Sequence, residues 1–361
     1  MEDKIKNKII TIGFSIIVIS VFLINIISED KLISISERRK LTQFPELSIS
    51  KIANGEVMNK LEKYTIDQFV GRDFFRSVKS FFNTNIYKQK DNNNLFEKDG
   101  AIYKMEYPLN ENNVQKSANK IKQVYEKYLK NMNVYYAIIP DKNYYLENDD
   151  HLKIDYKKLK QILGNELSEM NYIDIWESLT LEDYYKTDLH WKQENLFKVV
   201  NKIENDMNLK KTVQSNYKIK NVEDFYGTYY GQLAIKTTPD KLYTLTNQTI
   251  ENCTTYNFET QKSGKVYEQP KTSDKYDTYL SGTVSIISLE NPSSKTDKEL
   301  LLFRDSFGSS IAPLLIENYK KITLIDLRYV SSQLLDKFVT FENQDVLFLY
   351  STVVLNQNIL K

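Results

Sequence analysis

Apolar residues occur along this chain in three patterns: one long run, a helically spaced stretch and several short runs. Residues 9–27 carry no charge, and as a helix they would span roughly 28 Å, the thickness of a bilayer core. From residue 55 to about 87 the apolar positions recur at helical spacing, which predicts one or two helices. The polar run at residues 91–94 ends this pattern and predicts a domain border.

The short apolar runs predict buried parallel strands separated by amphipathic helices. The predicted strands cover residues 134–139, 172–175, 300–303, 322–325 and 346–349, and the predicted helices cover residues 114–129, 191–207 and 311–319. This alternation is typical of an α/β fold with an open parallel sheet and flanking helices. Residues 208–288 are rich in Thr, Tyr and Asn, which predicts an inserted β or loop region.

The long apolar run predicts where the protein resides. Lys4, Lys6 and Lys8 precede it, and no small-residue cleavage site follows, so we expect an uncleaved anchor with a cytoplasmic N-terminus. A cleaved signal peptide is the alternative, and both place the rest of the chain outside the cytoplasm. The predicted organisation is a tail (1–8), a transmembrane helix (9–27), a juxtamembrane helical region (28–94) and a catalytic domain (95–361) with an insertion at about 208–288.

Composition excludes several classes of function. The 361 residues are 41% hydrophobic and 27% charged, with a formal net charge of +1, so no basic field favours nucleic acid. Cys253 is the only cysteine, so an intrachain disulfide or a cysteine-based metal site is excluded. We therefore expect no metal site.

Three residue types that act together in acyl transfer occur in two short segments. Asp188 and His190 stand two residues apart, and Ser306 follows a predicted strand at the start of a predicted helix. A serine becomes a nucleophile when an imidazole takes its proton and a carboxylate orients that imidazole. The alternative is that Asp305, Ser306 or Ser309 only caps the helix that follows, and that Thr187 or Asp188 caps the helix predicted to begin near residue 191. The other histidine, His151, lies in a polar loop and is interpreted as a surface residue.

The two segments, Asp188-Leu189-His190-Trp191 and Arg304-Asp305-Ser306-Phe307, resemble the DHHW family and the related AlgX and AlgJ group of alginate O-acetyltransferases. The resemblance implies an SGNH-hydrolase-like fold, with Ser306 as nucleophile, His190 as general base and Asp188 as its orienting acid. It extends to further motifs: Glu37-Arg38-Arg39-Lys40-Leu41 with Pro45, Tyr64 to Asp73, Pro140-Asp141-Lys142, Asp274-Lys275-Tyr276 and Asp326-Leu327-Arg328-Tyr329.

The sequence departs from the family pattern at two positions. Leu189 replaces the first histidine of the family name, and Arg304 stands where an SGNH motif has glycine before Asp-Ser. A guanidinium at position 304 would change the region that binds the oxyanion. Arg304, Arg328 and Tyr350 are the candidates for oxyanion or substrate contacts, and ion pairing and packing are their alternative roles.

The resemblance implies an extracytoplasmic, membrane-anchored O-acetyltransferase that acts on a cell-envelope or secreted polysaccharide. A membrane-bound O-acyltransferase that delivers acyl groups is the implied partner, and the implied reaction requires no soluble cofactor. An acetyl esterase and a catalytically silent envelope binding factor are the alternatives. The local density of tyrosines in the insertion predicts a groove for sugar rings, with sheet packing as the alternative; the residues concerned are Tyr226, Tyr229 and Tyr230.

Overall fold

The structure is a computed structural model that describes residues 2–147, 150–270 and 272–361. The chain divides into two compact units. The first comprises Met1–Asn92 together with Tyr230–Lys236, and the second comprises Asn93–Tyr229 and Thr237–Lys361.

The first unit is mainly helical, as the pattern between residues 55 and 87 predicted. It begins with the 26-residue helix α1, which is long and apolar enough to cross a membrane. A two-stranded ribbon and three shorter helices follow, and a π-helical turn, Phe82–Ile86, extends the last of them. The elements are α1 (Glu2–Ile27), β1 (Ile33–Ser34), β2 (Arg39–Lys40), α2 (Ile49–Ala53), α3 (Glu56–Asp67) and α4 (Arg72–Phe81).

Ion pairs and hydrogen bonds hold the ribbon of the first unit against α3. The buried carboxylate of Asp67 accepts two hydrogen bonds from Arg39 and two from Thr42, one from its amide and one from its hydroxyl. The hydrogen bond from Arg39 holds the pKa of Asp67 well below its usual range. The carboxylate therefore stays ionised at neutral pH and keeps both guanidinium bonds.

The second unit is built on an eight-stranded sheet, with smaller ribbons and flanking helices. In chain order its elements are β3 (Leu95–Lys98), β4 (Ala101–Lys104), α5 (Glu111–Val124), β5 (Val134–Ile139), α6 (Tyr156–Glu166), β6 (Asn171–Tyr172), α7 (Phe197–Asp206), β7 (Lys218–Phe225), the start of α8 (Thr228–Leu233), whose residues from Tyr230 belong to the first unit, β8 (Asp240–Thr246), α9 (Gln248–Asn252), β9 (Thr254–Asn257), β10 (Lys262–Lys265), β11 (Ile286–Glu290), β12 (Glu299–Arg304), α10 (Phe307–Leu315), β13 (Lys321–Ile325), β14 (Asp345–Ser351) and α11 (Thr352–Gln357).

The strand order of the large sheet is β10-β9-β11-β13-β12-β14-β5-β6. The strands from β13 to β6 run parallel, whereas β11, β9 and β10 add an antiparallel edge. Leu300 to Phe303 of β12 are at most 1% exposed, as expected of a central parallel strand that is buried on both faces. The structure confirms the predicted α/β class, and the antiparallel edge comes from residues predicted to form the insertion.

Three predicted elements differ from the observed ones. The strand predicted at residues 172–175 is the two-residue edge strand β6, and helix α10 begins four residues before the predicted start at residue 311. Helix α7 begins at Phe197 rather than near residue 191, after a 3-10 turn. The cause is backbone pairing: Trp191 forms a bridge with Tyr184, and the amide of Tyr185 donates to the carbonyl of His190.

Candidate active site

Ser306 lies in the turn between the central strand β12 and helix α10. Its backbone is helical, with φ −59° and ψ −26°, and its side chain makes no capping bond to the helix. Asp305 acts as the cap instead, since one carboxylate oxygen accepts from the amide of Phe307 at 3.0 Å and the other accepts from the amide of Ser351 at 2.8 Å. The capping alternative for Ser306 is therefore wrong, and its hydroxyl is free for another partner.

That partner is His190. Nε2 of the imidazole lies 2.7 Å from Oγ of Ser306, and Nδ1 lies 2.5 Å from Oδ1 of Asp188. Because an ionised carboxylate only accepts hydrogen bonds, Nδ1 is the donor toward Asp188, which leaves Nε2 as the acceptor for the serine hydroxyl. The structure thus brings together three residues that lie up to 118 positions apart in the chain, in the order that proton abstraction from serine requires.

A buried lysine holds the loop of residues 185–188, which carries Asp188. Lys142 follows strand β5 and is 4% exposed, and its ammonium donates to the carbonyls of Tyr185, Lys186 and Asp188 at 3.0, 3.2 and 2.9 Å. Burial lowers the pKa of Lys142 to about 7, against the opposing effect of the carboxylates of Asp188 and Asp240. The ammonium supplies a donor to each of three carbonyls that the loop turns inward.

A buried carboxylate holds the other side of the same loop. Asp240, the first residue of β8, accepts from the amides of Lys186 and Thr187 at 2.9 and 2.8 Å and from the Thr187 hydroxyl at 2.6 Å. Oδ2 of Asp188 in turn accepts from the amide of Thr228 at 2.6 Å. The ribbon formed by β7 and β8, with the segment between them, therefore orients the acid, a role that the sequence pattern did not indicate.

Gly227 packs directly against the acid. A Cβ atom at this position would lie 2.3 Å from Cβ of Asp188 and 2.4 Å from the carbonyl oxygen of Thr187. No side chain larger than hydrogen fits here without moving the backbone. Only glycine allows the ribbon segment to approach Asp188 closely enough for the bond from the next amide.

Aromatic residues fix the base. The ring of Tyr276 stacks on the imidazole of His190, with 3.9 Å between centroids and 11° between planes, and its hydroxyl donates to Ser310 at 2.9 Å. Trp191 donates its indole N–H to the same Ser310 hydroxyl at 2.8 Å and to the carbonyl of Phe307 at 3.2 Å. Both aromatic residues thus connect the histidine segment to the first turn of α10, the helix that follows Ser306.

The three candidates for oxyanion or substrate contacts cluster at the ends of β12, β13 and β14. Arg304 is 1% exposed, and its guanidinium lies 3.5 Å from the carboxylate of Asp326. The same carboxylate accepts hydrogen bonds from Nε and Nη2 of Arg328. Nε and Nη2 of Arg304 and the hydroxyl of Tyr350 are buried without a hydrogen-bond partner among the described residues. Arg304 fits here because its side chain packs against Gly308, where a Cβ would lie 2.5 Å from Cβ of Arg304. These contacts support the alternative roles of the three candidates, which are ion pairing and packing.

Other predicted residues lie elsewhere. His151 is half-buried and stacks on Phe96 with 3.5 Å between ring centroids, so its side chain is partly covered rather than fully exposed. Tyr226 is 44% exposed, whereas Tyr229 is buried and faces the ammonium of Lys142 at 5.2 Å, so Tyr229 packs rather than lining a groove. Tyr230 is half-buried and belongs to the first unit. Among the described residues, no group of three or more His, Cys, Asp or Glu side chains could hold a metal ion.

Sequence reasoning missed the roles of Lys142, Asp240, Gly227 and Tyr276. Lys142 and Tyr276 stand in motifs noted for the family resemblance, but neither motif indicated a contact with the acid or the base. Asp240 and Gly227 lie in the region predicted as an insertion, where no periodic pattern singles them out. Each acts through a contact between segments distant in sequence, which a single chain without its fold does not reveal.

Comparison with known proteins shows similarity in sequence to one family and in fold to solved structures. The family described as DHHW protein matches residues 155–325, and no curated protein matches the chain. The crystal structure of a DHHW family protein from Eubacterium siraeum DSM 15702 aligns with 21% identity and a TM-score of 0.61, over 74% of this chain and 95% of that chain. Bacillus cereus PatB1 with a sulfonyl adduct aligns with 19% identity and a TM-score of 0.55, over 74% and 96%.

The two aligned structures share the fold of this chain, and the predicted α/β class with an open, mostly parallel sheet is confirmed. The family match includes the segment with Asp188 and His190 and the segment with Ser306. Over residues 155–325 the chain is therefore similar to the DHHW protein family, which confirms the resemblance that its two motifs predicted.

Proposed function

We propose that this protein is an extracytoplasmic O-acetyltransferase that modifies a polysaccharide through an acyl-enzyme on Ser306. The observation that carries the proposal is the continuous hydrogen-bonded series from Asp188 through His190 to Oγ of Ser306. The family resemblance supplies the reaction class, and helix α1 supports attachment to the membrane. The sugar acceptor and the membrane-bound O-acyltransferase partner are part of the same proposal.

In the first half-reaction Oγ of Ser306 attacks the carbonyl carbon of an acetyl donor while Nε2 of His190 takes the hydroxyl proton. The carbonyl electrons move to oxygen and form a tetrahedral oxyanion. When they return, the bond to the leaving group breaks, and the leaving group takes the proton from His190. Asp188 stabilises the imidazolium that exists between these two proton transfers. The product is acetyl-Ser306 and the protonated leaving group.

In the second half-reaction a sugar hydroxyl attacks the acetyl carbon and gives its proton to His190. Collapse of the second tetrahedral oxyanion breaks the bond to Ser306, which recovers its proton from the imidazolium, and the acetylated sugar departs. The amide of Ser306 is the proposed oxyanion donor. It makes no hydrogen bond to another described residue, and the dipole of α10 favours negative charge at this end of the helix.

A covalent probe and an acetyl-transfer assay test the proposal on the full-length protein. An arylsulfonyl fluoride should add to Ser306, as located by peptide mass spectrometry, because His190 activates that hydroxyl. Ser306→Ala, His190→Ala and Asp188→Ala should each lower turnover of a model acetyl ester by at least about 10³-fold. Ser309→Ala is the matched control: it removes a buried hydroxyl from the same helix and should keep wild-type activity.

The products separate this proposal from its alternatives. Acetylated oligosaccharide supports the transferase, and free acetate alone, in the presence of acceptor, indicates an esterase. An active wild type whose Ser306→Ala variant is equally active would exclude the acyl-enzyme. A wild type without probe labelling or turnover would favour a silent binding factor. Because the residues act as a unit, the Ser306→Ala/His190→Ala double variant should lose little more activity than either single variant.

A further inference from the structure

Helix α4 carries its apolar side outward and its polar side inward, the reverse of an ordinary amphipathic helix on a folded unit. Phe74 and Phe75 are 67% and 55% exposed, and Phe81 is 53% exposed. By contrast, the side chains of Arg72 and Arg76 are only 14% and 18% exposed. A cluster of exposed phenylalanines of this kind indicates that another apolar phase covers it.

Ion pairs prevent the helix from rotating to bury this face. Glu37 pairs with Arg72 and, at 3.4 Å, with Arg76. Arg76 also donates to the carbonyls of Gly231 and Gln232 at 2.9 and 2.8 Å. Rotation of α4 would break these charge-assisted bonds and remove the guanidinium donor from the carbonyls of Gly231 and Gln232. The outward position of the phenylalanines is therefore set by the polar side of the same helix.

The exposed face continues directly from the end of α1. The amide of Val70 donates to the side chain of Asn25 in the last turns of α1 at 2.9 Å, and the amide of Lys31 donates to Gln68 at 2.9 Å. Residues 69–71 connect this contact to the start of α4. Phe69 and Val70 are also exposed, at 37% and 40%. If residues 9–27 span the hydrocarbon core, Asn25 lies at its outer edge, and these side chains lie at the same level.

We propose that the phenylalanine face of α4, together with Phe69 and Val70, inserts into the outer lipid–water interface. The inference rests on the proposed membrane span of α1. Lipid is the favoured occupant because the face offers apolar side chains without a directional polar group and begins at the point where the proposed span leaves the bilayer. The first unit is then held by two elements, one crossing the membrane and one lying along its surface.

Spin-label accessibility on the full-length protein in lipid nanodiscs tests this proposal. Single cysteines replace Phe74, Phe75 and Phe81 on the apolar face, and Ser77 and Lys79, which lie about 100° to either side of its centre, serve as matched controls. Cys253 is 4% exposed and burial raises its thiol pKa to about 12, so it does not compete for the label.

We expect high oxygen access and low access to a water-soluble nickel chelate at the three phenylalanine positions, with the reverse at Ser77 and Lys79. Equal nickel access at all five positions would overturn the inference, and so would exclusion of both reagents from the phenylalanine positions, since that result indicates a protein partner. A label at Ile17 tests the span itself. Aqueous access there would refute the membrane anchor, whereas lipid exposure at Ile17 with aqueous exposure at Phe74 refutes only the interfacial helix.

Discussion

Replacing Gly227 by alanine should impair the proposed reaction although Ser306, His190 and Asp188 are all kept. The added Cβ would lie 2.3 Å from Cβ of Asp188, whereas ordinary van der Waals contact begins near 3.4 Å. Either Asp188 or the segment that follows Gly227 must therefore move by about 1 Å. Movement of Asp188 weakens its bond to His190, and movement of the segment weakens the bond from the amide of Thr228 at 2.6 Å.

The size of the effect follows from that displacement. A misplacement of about 1 Å in a catalytic group costs on the order of 10²-fold in rate, which corresponds to about 2.7 kcal/mol in activation free energy. Overpacking a buried site costs a further 1–3 kcal/mol of folding stability, roughly. We therefore expect a kcat about 100-fold lower on a model acetyl ester and a lower melting temperature, while Ser306 stays in place.

The assay compares kcat and thermal unfolding for Gly227→Ala and for Gly164→Ala. Gly164 lies within α6, and a Cβ there would have no atom within 4 Å, so alanine should leave kcat unchanged and raise stability by roughly 0.5–1 kcal/mol. A wild-type kcat in the folded Gly227→Ala protein would show that the placement of Asp188 does not control the reaction, and the reasoning from this contact would be wrong.

Two further predictions concern buried charged groups. Lys142→Met should lower both kcat and the melting temperature, since three inward carbonyls of the loop that carries Asp188 lose their donor. Lys186→Met, at an exposed position in the same loop, should leave both quantities nearly unchanged. Equal kcat values for the two variants would contradict the positioning role of Lys142. Burial raises the pKa of Asp141 from 3.8 to about 6, so the folded protein holds a proton that the unfolded chain releases in that interval. The stability that this group contributes is complete below pH 3.8 and is lost as pH rises through 6, a fall of about 3 kcal/mol in the free energy of unfolding. Asp141→Asn should therefore make the free energy of unfolding less dependent on pH over this interval. An unchanged slope in the variant would refute the assignment of this pH dependence to Asp141.

Local pattern was enough to predict much of the fold. The strand at residues 134–139 has the predicted bounds, because a run of apolar residues buried on both faces of a parallel sheet carries its own signal. The same applies to the position of Ser306 between a strand and a helix, and to the apolar length of α1. Each of these features depends on residues that are neighbours in the chain.

Tertiary structure decided the features that depend on distant residues. The helix expected near residue 191 starts later because His190 and Trp191 pair with Tyr184 and Tyr185, and local propensity does not register that pairing. The loop of residues 185–188 is held by Lys142, which follows β5, and by Asp240, the first residue of β8. Neither residue has a sequence signal for this role. The motifs thus determined which residues could react. Only packing and long-range hydrogen bonding determined that the imidazole meets the Ser306 hydroxyl at bonding distance, because that contact joins residues 116 positions apart, whereas the carboxylate and the imidazole are two positions apart in the chain.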